Sequence, residues 1–448
     1  MTENRKIVGH GMVLLTMCLA VLVAQVDTSV VNLAVRPIGA DLGAGVGGLQ
    51  WVVDAYNLTY AVLLLSGGLL ADLFGRRRIF MIGVAGFAVA SLLCAVAPGI
   101  GVLIGARALA GIGAALLVPA SLAIIRVVWT DPVERGRALG IWASCNGVAF
   151  AIGPPLGGVL IAHFGWRSVF LCVVPFAVAA LVLAARAVTE SADPHGRRFD
   201  LGGQGAGALA LGALALAAIE AQARPWVSGA ALAVCVAAFL AFRAVERRGG
   251  AAAMVPLDLF RLATFRGTMI ATGAMTFGMY GVLFLVPLLW QSSGRLGPQG
   301  AGFALLPMAL IFAVVSPRSG ALTERFGARV LTAGGLAAMG CGLLVLAVTH
   351  GGAELGIAEL GLGLAGLGMG LATGPLFAVA VASVPSARSG TASALINVAR
   401  MVGATLGVAA LGSAFAVLHG GPAGLRAAML AGGAVQLAGA ATAWAIVR

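Results

Sequence analysis

Three charged residues lie inside long apolar runs of the chain: Asp27, Asp54 and Arg107. An ionised side chain at membrane depth costs about 3 kcal/mol or more, so each must pair with a partner, face water or, for the acids, hold a proton. All three conditions suit a carboxylate that takes up and releases a proton as its access alternates between two sides. They also suit a fixed structural ion pair, for which Asp27 is the partner that we expect for Arg107.

A fourth charge, Arg400, lies in a later run, nearer its predicted cytoplasmic end, where its side chain is also able to extend to the membrane surface. Polar and aromatic side chains in the same runs are candidates for a substrate cavity. We expect this cavity to be lined by Asn32, Tyr56, Asn146, Phe277, Tyr280 and Asn397. A helical stripe such as Phe277 with Tyr280 is also typical of ordinary packing between helices.

The elements that must position these charges are membrane helices. The chain is 60% hydrophobic and 10% charged, whereas a soluble domain has about 25% charged residues. A membrane helix needs about 20 apolar residues. Fourteen runs meet this requirement: 11–33, 48–70, 79–98, 101–127, 137–161, 168–187, 203–221, 227–245, 267–290, 300–317, 329–349, 357–381, 391–417 and 426–446. The predicted class is an all-α membrane protein with fourteen transmembrane helices.

The basic residues predict the orientation of these helices. The chain has 28 Lys and Arg residues, and Arg107 and Arg400 lie within spans. Alternate connections on the predicted outer side carry only Arg36, Arg167, Arg224, Arg295 and Arg426, and the others lie on the opposite side. The positive-inside rule then places both termini in the cytoplasm. The net charge of +12 does not indicate nucleic-acid binding, because the arginines form short clusters between apolar runs.

An internal repeat predicts how the helices are grouped. Residues 67–78 read GGLLADLFGRRR, and residues 319–330, 252 positions later, read SGALTERFGARV. Each copy follows the second helix of a six-helix set if two helices lie between the sets. We therefore predict a 6+2+6 arrangement: an N-terminal bundle at 1–188, a linker with two inserted helices at 189–262, and a C-terminal bundle at 263–448.

Two glycine-rich motifs are candidates for conformational change. Gly68, Asp72, Gly75 and Arg76 predict a shaped turn against which another helix end docks, although the arginines alone also serve as a topology signal. In the fifth helix, the run GPPLGG at residues 153–158 removes side-chain bulk and backbone donors, which predicts a bent, tightly packed helix. The candidate residues for conformational change in this run are Gly153, Pro154, Gly157 and Gly158. A kink with no gating role is the alternative.

Enzymatic chemistry is not indicated. The six cysteines have no CxxC spacing, the five histidines are scattered, and there is no nucleophile–base pair and no phosphate-binding loop. We therefore expect no metal site and no cofactor.

With these motifs in place, the whole chain resembles the major facilitator superfamily. The turn at 68–78, the helix 4 run at 107–115 and the helix 5 run at 153–158 are similar to motifs of that superfamily. The runs at 27–34 and 51–56 resemble its fourteen-helix drug:proton antiporter branch. The resemblance implies that the helix 4 arginine and the acids of helices 1 and 2 handle protons, and that the helix 5 motif is associated with export.

The sequence also departs from the family pattern. Ala149 stands where a glycine is usual, Arg36 precedes Pro37 where an apolar residue is usual, and the second turn lacks the triple arginine. Some relatives carry acids in helices 10 or 13, but the runs 300–317 and 391–417 contain none, which argues against divalent cationic drugs.

The expected function is a monomeric transporter of the inner membrane that exports small amphipathic compounds, such as drugs, antibiotics or dyes, in exchange for protons. The alternatives are a dedicated exporter of one metabolite or antibiotic, a proton-linked uptake carrier and, least favoured, a non-transporting receptor. Intramembrane charges argue against the receptor, because such charges are costly when they have no role.

Overall fold

In a computed structural model of the chain, the described residues are 2–193, 200–221, 223–249, 255–349, 355–385 and 388–447. Within them, 14 helices are long and apolar enough to cross a membrane, which confirms the predicted number, and these described residues form no β-strand. The helices are α1 (Gly9–Leu42), α2 (Val46–Phe74), α3 (Arg76–Ala95), α4 (Ile100–Val128), α5 (Val133–Phe164), α6 (Ser168–Ala187), α7 (Leu201–Glu220), α8 (Pro225–Arg248), α9 (Ala263–Ser292), α10 (Pro298–Phe326), α11 (Ala328–Ala347), α12 (Leu355–Ala382), α13 (Gly390–Val417) and α14 (Gly421–Ile446).

Short turns join consecutive helices and define two faces of the molecule. We call the Gly43 face the one that carries the connections 43–45, 96–99, 165–167, 293–297 and 418–420. The Gly75 face carries Gly75, residues 129–132 and Gly327, together with the N-terminus of α1.

Helix α1 continues beyond the predicted end at residue 33, through Pro37, to Leu42. Pro37 lacks the backbone N–H that would bond to the carbonyl of Leu33, four residues earlier. That carbonyl instead accepts a hydrogen bond from the side-chain amide of Gln291 in α9, at 3.0 Å. The helix therefore tolerates the proline because the side chain of Gln291 in α9 satisfies the free carbonyl.

The packing of α1–α6 is repeated by α9–α14. Helix α1 packs against α5 and α6, α2 against α4, and α3 against α4 and α6; helices eight positions later pair in the same way. The main contacts between the two sets are α2 with α13, α5 with α10 and α1 with α9. This repetition favours the predicted division into two six-helix bundles, and the domain boundaries stay a prediction.

The repeated turns share one backbone feature. Gly75 has a φ of 104° and Gly327 a φ of 85°, a region that glycine adopts without steric cost. Each glycine ends one helix and immediately begins the next. The repeat seen in the sequence is therefore also a repeat of backbone conformation.

Helices α7 and α8 pack against each other, and α7 also lies against both α2 and α13. Near the Gly75 face, the amide of Gln204 in α7 donates to the carbonyl of Val62 in α2 at 2.6 Å. Toward the Gly43 face, the hydroxyl of Ser413 in α13 donates to the carbonyl of Ala218 at 2.6 Å. Helix α7 is thus bonded to α2 and to α13.

Candidate functional site

Asp27 and Arg107 form a buried ion pair between α1 and α4. Arg107 Nη1 lies 2.6 Å from Asp27 Oδ2, and the two side chains are 2% and 1% exposed. Arg107 Nε donates to the carbonyl of Val52 at 3.1 Å, and its guanidinium lies 4.6 Å from the ring centre of Tyr56. The contact expected from the sequence is present, and one Asp27 oxygen, Oδ1, has no hydrogen-bond partner among the described residues.

Glycine spacing in α4 allows this arrangement. Gly111 lies one turn after Arg107, and a Cβ atom there would come within 2.4 Å of the Tyr56 carbonyl and 2.0 Å of Thr59 Oγ1. Helices α2 and α4 therefore approach each other closely at this level. The close approach brings the Val52 carbonyl and the Tyr56 ring within reach of the guanidinium.

Asp54 differs from Asp27 in its surroundings. It is fully buried in α2, and neither of its carboxyl oxygens has a hydrogen-bond partner in the described part of the chain. The side-chain amide of Asn57, one turn later, is buried and unpartnered under the same restriction. An unpaired ionised carboxylate is expensive in such a place. Among the described residues, no cluster of His, Cys, Asp or Glu is suited to hold a metal ion.

The glycine- and proline-rich run of α5 is a contact surface on two sides. A Cβ atom on Gly153 would lie 1.8 Å from Ser29 Oγ, and one on Gly157 would lie 2.7 Å from Val30 Cγ1, so both glycines allow α1 to pack closely. On the other side, a Cβ atom on Gly158 would lie 2.7 Å from the Pro298 carbonyl of α10. Conversely, Gly302 of α10 faces the Pro154 carbonyl, 2.4 Å from its ideal Cβ position.

The turn between α2 and α3 is bound by the segment that follows α6. Asp72 accepts two hydrogen bonds from Arg76, at 2.9 and 3.1 Å. The Glu190 carboxylate accepts the backbone N–H groups of Arg77 and Arg78, both at 3.0 Å, and so caps the N-terminus of α3. Further backbone bonds join Arg76 to Ser191 and Asp193 to Asp72, each at 2.8 Å.

Sequence reasoning missed Glu190 and one glycine of this motif. A Cβ atom on Gly68 would make ordinary contact with Pro119, at 3.6 Å. On the neighbouring Gly67 it would lie 1.9 Å from the Ala115 carbonyl. Pro119 cannot donate to that carbonyl, which lies four residues earlier, so Gly67 packs against an irregular part of α4. Only the rotation of α2 decides which of the two glycines faces α4.

A central cavity of about 50 Å³ lies at mid-length between the two six-helix sets. Its lining comes from α1, α5, α9, α10, α12 and α13. The residues are Gln25, Thr28, Ser29, Phe150, Met275, Thr276, Met279, Tyr280, Leu283, Phe312, Met369, Thr373 and Arg400. Three methionines and two phenylalanines give it an adaptable, mostly apolar wall, and its one charged side chain is Arg400.

The predicted cavity residues fall in different places. Tyr280 lines the cavity, and Asn397 adjoins it through Arg400, whose Nη1 lies 3.5 Å from Asn397 Oδ1. Tyr56 belongs to the surroundings of Arg107 instead. Asn32 is buried, and its amide donates to the Thr28 carbonyl in its own helix at 3.0 Å.

Phe277 and Asn146 complete the set. Phe277 lies about 100° around α9 from the cavity residue Thr276, and its carbonyl packs against Gly407 of α13. Asn146 lies in α5, and its side chain is outside the described part of the structure. The sequence signal for Thr276, Met279 and Met369 was weak, because such residues are equally common in helix packing.

Several contacts between the two helix sets lie toward the Gly43 face. The Gln50 amide donates to the carbonyls of Val408 and Ala409 in α13, at 3.0 and 2.8 Å. The bond from Gln291 to the Leu33 carbonyl and the glycine contacts of α5 with α10 lie toward the same face. Toward the Gly75 face, by contrast, α5 is exposed at Val133 and Ile141.

Comparison with known proteins identifies the family to which the chain belongs. A family model described as "Major Facilitator Superfamily" matches residues 17–408. The multidrug resistance protein Stp of Mycobacterium tuberculosis is 37% identical over 394 residues, covering 87% of this chain and 73% of that protein. The multidrug efflux pump LfrA of Mycolicibacterium smegmatis is 34% identical over 441 residues, covering 96% and 86%. A methylenomycin A resistance protein of Bacillus subtilis is 33% identical over 404 residues, covering 89% and 86%.

Solved structures agree with the fold. A D-xylose–proton symporter superposes with a TM-score of 0.70 at 16% identity, covering 98% of both chains. A bacterial homologue of the lysosomal transporter Spinster, in an inward-facing conformation, also has a TM-score of 0.70, at 18% identity, with 98% and 97% of the chains covered.

Proposed function

The chain belongs to the Major Facilitator Superfamily of membrane transporters, and we propose that it exports small amphipathic compounds across the bacterial cell membrane in exchange for protons. The names of its relatives, which include a multidrug resistance protein and a multidrug efflux pump, support export over uptake. The transporter is proposed to act as a monomer with both termini in the cytoplasm, so that the Gly75 face is cytoplasmic.

The buried pair of Asp27 and Arg107 is the observation that carries this proposal. Its two charges lie within spans and neutralise each other at 2.6 Å. A proton that binds Asp27 removes the negative charge and leaves Arg107 with the Val52 carbonyl and the rings of Tyr56 and Phe170 as its other contacts. Breaking a buried pair costs about 3–5 kcal/mol, which is enough to shift the balance between two conformations.

Alternating access fits the contacts that join the two helix sets toward the Gly43 face. With the Gly75 face in the cytoplasm, the bonds of Gln50 and Gln291 and the α5–α10 glycine contacts close the outer side. Protonation of Asp27 would act next to this closure, because Ser29 and Val30 of the same helix pack against Gly153 and Gly157. We propose that movement of α1 against α5 couples the proton to opening.

Asp54 is proposed as a second protonatable site. It lies one turn from Gln50 on the same helix, next to the seam between α2 and α13, and is buried without a partner among the described residues. Ionisation there would favour hydration of the seam and hence its opening.

A dedicated exporter of one antibiotic is the second candidate. The similarity to a protein named for methylenomycin A resistance favours it. A panel of unrelated dyes and antibiotics distinguishes the two, because a dedicated exporter would move one compound and a multidrug exporter several.

The proposal is tested by dye efflux from bacterial cells that lack their own major efflux pumps. Cells that express the protein should expel ethidium, rhodamine 6G or fluorescein in a manner that a protonophore abolishes. The Asp27→Asn variant should expel no more dye than cells without the protein, at equal amounts in the membrane. Full efflux by this variant would refute the assignment.

Asp41→Asn is the matched control. Asp41 lies on the same helix and also pairs with an arginine, Arg167, at 2.7 Å, but both side chains are nearly half exposed at the Gly43 face. Removal of the Asp41 charge should leave proton-driven efflux unchanged, because an exposed ion pair contributes little to the stability of the protein.

A further inference from the structure

The guanidinium of Arg400 lines the central cavity and has N–H donors without an acceptor among the described residues. Within the described part of the chain, no carboxylate lies within 4.0 Å of its guanidinium. Its Nη1 has only a long contact of 3.5 Å with Asn397 Oδ1, and its Nε is buried with no acceptor among the described residues. A guanidinium has five N–H donors, so most of this capacity is unused.

A guanidinium without a counter-charge is unusual at the depth where Arg400 lies. It lies ten residues after Gly390, the start of α13, which is roughly 15 Å along the helix at about 1.5 Å per residue. The side chain lines the cavity together with residues of α1 and α9, so it does not extend to the membrane surface. A cation in such a place is costly unless a counter-charge accompanies it.

The described residues do not supply this counter-charge to the cavity. The described lining residues include no Asp and no Glu. The nearest acid in the sequence of α1, Asp27, is already paired with Arg107. The described lining of the cavity therefore carries a net positive charge. Thr28, Thr276 and Thr373 add hydroxyl groups to the same lining.

The rest of the cavity wall is suited to bind an apolar aromatic group. Met275, Met279 and Met369 are flexible and polarisable, and methionine sulfur makes favourable contacts with aromatic rings. Phe150 and Phe312 meet edge to face across the two helix sets, with ring centres 5.6 Å apart. A mostly apolar pocket with one fixed charge is the usual form of a site that orients an amphipathic ligand.

We infer that the central cavity binds amphipathic aromatic compounds that carry an anionic group, and that this carboxylate, phenolate or sulfonate binds to the Arg400 guanidinium. The planar fork of arginine matches such groups with two parallel hydrogen bonds. The inference rests on the proposed function for the direction of transport, but the binding itself needs no proton gradient.

Binding of this kind requires the cavity to enlarge. Its volume of about 50 Å³ is smaller than the roughly 300–1,000 Å³ of sites for drug-sized molecules. The contact between Phe150 and Phe312 joins α5 to α10, and separation of these two rings would widen the cavity toward the exposed part of α5.

The experiment measures binding to the full-length protein, purified and placed in nanodiscs of zwitterionic lipid. Two xanthene dyes of opposite charge serve as probes, anionic fluorescein and cationic rhodamine 6G, and fluorescence anisotropy gives their affinities after subtraction of empty nanodiscs. Fluorescein should bind, and Arg400→Gln should weaken it at least about tenfold, the effect of one lost charge-assisted hydrogen bond. The same change should strengthen rhodamine 6G, because it removes a repulsive charge.

Two variants make the result specific. Arg400→Lys keeps the charge but loses the planar fork, and its affinity for fluorescein should lie between those of the other two proteins. Arg426→Gln removes an exposed arginine of α14 and should change neither affinity. All variants should give a single size-exclusion peak, which separates loss of binding from loss of folding.

The inference is overturned if fluorescein does not bind the unmodified protein, or if Arg400→Gln leaves both affinities unchanged. The outcome for the proposed function is separate. Binding that depends on Arg400, together with full efflux by the Asp27→Asn variant, would retain the anion site and reject proton coupling through Asp27.

Discussion

The two arginines within spans, buried Arg107 in α4 and partly buried Arg400 in α13, show how one residue type is used in two ways. Arg107 is held by a carboxylate, a carbonyl and two aromatic rings, all from α1, α2 and α6. Arg400 has one long contact and faces the cavity between the sets. The first charge is neutralised by the protein, which suits proton chemistry, whereas the second is left for a ligand.

The difference extends to the repeated turns. In the first six helices, Asp72 pairs with Arg76 and Glu190 caps α3. In the second, Glu324 is exposed, and Ala328 stands where the first copy has Arg76. The acid of the first turn is therefore paired, whereas in the second turn it is Arg329 that makes an internal contact, donating to the Val447 carbonyl at 2.9 Å. Both turns share the same glycine conformation.

Removal of the Arg107 side chain is the test of this contrast with the largest expected effect on stability. Arg107→Gln would leave the Asp27 charge buried and unpaired, which costs about 3–5 kcal/mol, and should sharply lower the apparent melting temperature of the purified protein. The double variant Asp27→Asn with Arg107→Gln should recover most of this loss. An unchanged melting temperature for Arg107→Gln would mean that the pair does not stabilise the fold.

Next in size is the packing that holds α1 beside α5. Gly153→Ala would place a methyl group 1.8 Å from Ser29 Oγ, and overpacking of this kind costs about 1–3 kcal/mol. Gly140→Ala is the control in the same helix, because nothing lies within 4 Å of its Cβ position. Melting temperatures should fall for the first variant and stay level or rise for the second; equal values would contradict the close contact.

The helix cap should have a smaller effect. Glu190→Ala removes the acceptor of two backbone N–H groups at the start of α3, for which the typical cost is about 1 kcal/mol. Glu324→Ala removes an exposed acid near the second turn and should stay within about 0.5 kcal/mol of the unmodified protein. Urea-dependent loss of the native state, followed by limited proteolysis, would compare the two, and a greater loss for Glu324→Ala would reverse the contrast.

The smallest effect on stability is expected for Arg400. Arg400→Gln removes a charge that has no carboxylate partner among the described residues, so the melting temperature should change little or rise slightly. A large fall would show that Arg400 supports the fold as Arg107 does, and would remove the distinction between them.

The sequence was sufficient to predict the membrane helices, the Asp27–Arg107 contact and the glycine of each repeated turn. These features follow from apolar length, from the cost of buried charge and from backbone conformation, which are local or pairwise properties. The sequence was not sufficient to predict the Glu190 cap, the closely packed Gly67 or most of the cavity lining. Those depend on how helices rotate against neighbours distant in the chain, which periodicity in weakly amphipathic helices does not determine.

Helix α7 has a consequence for how hydrophobic compounds reach the cavity from the lipid. The seams of α2 with α13 and of α5 with α10 occupy equivalent positions in the two sets. In the described part of the chain, α7 packs against both helices of the first seam and makes no comparable contact with the second. A compound dissolved in one leaflet would meet α7 on that side and the exposed apolar residues Val133 and Ile141 of α5 on the other. If compounds enter the cavity from the bilayer, α7 would obstruct the α2–α13 side and leave the α5–α10 side as the entrance.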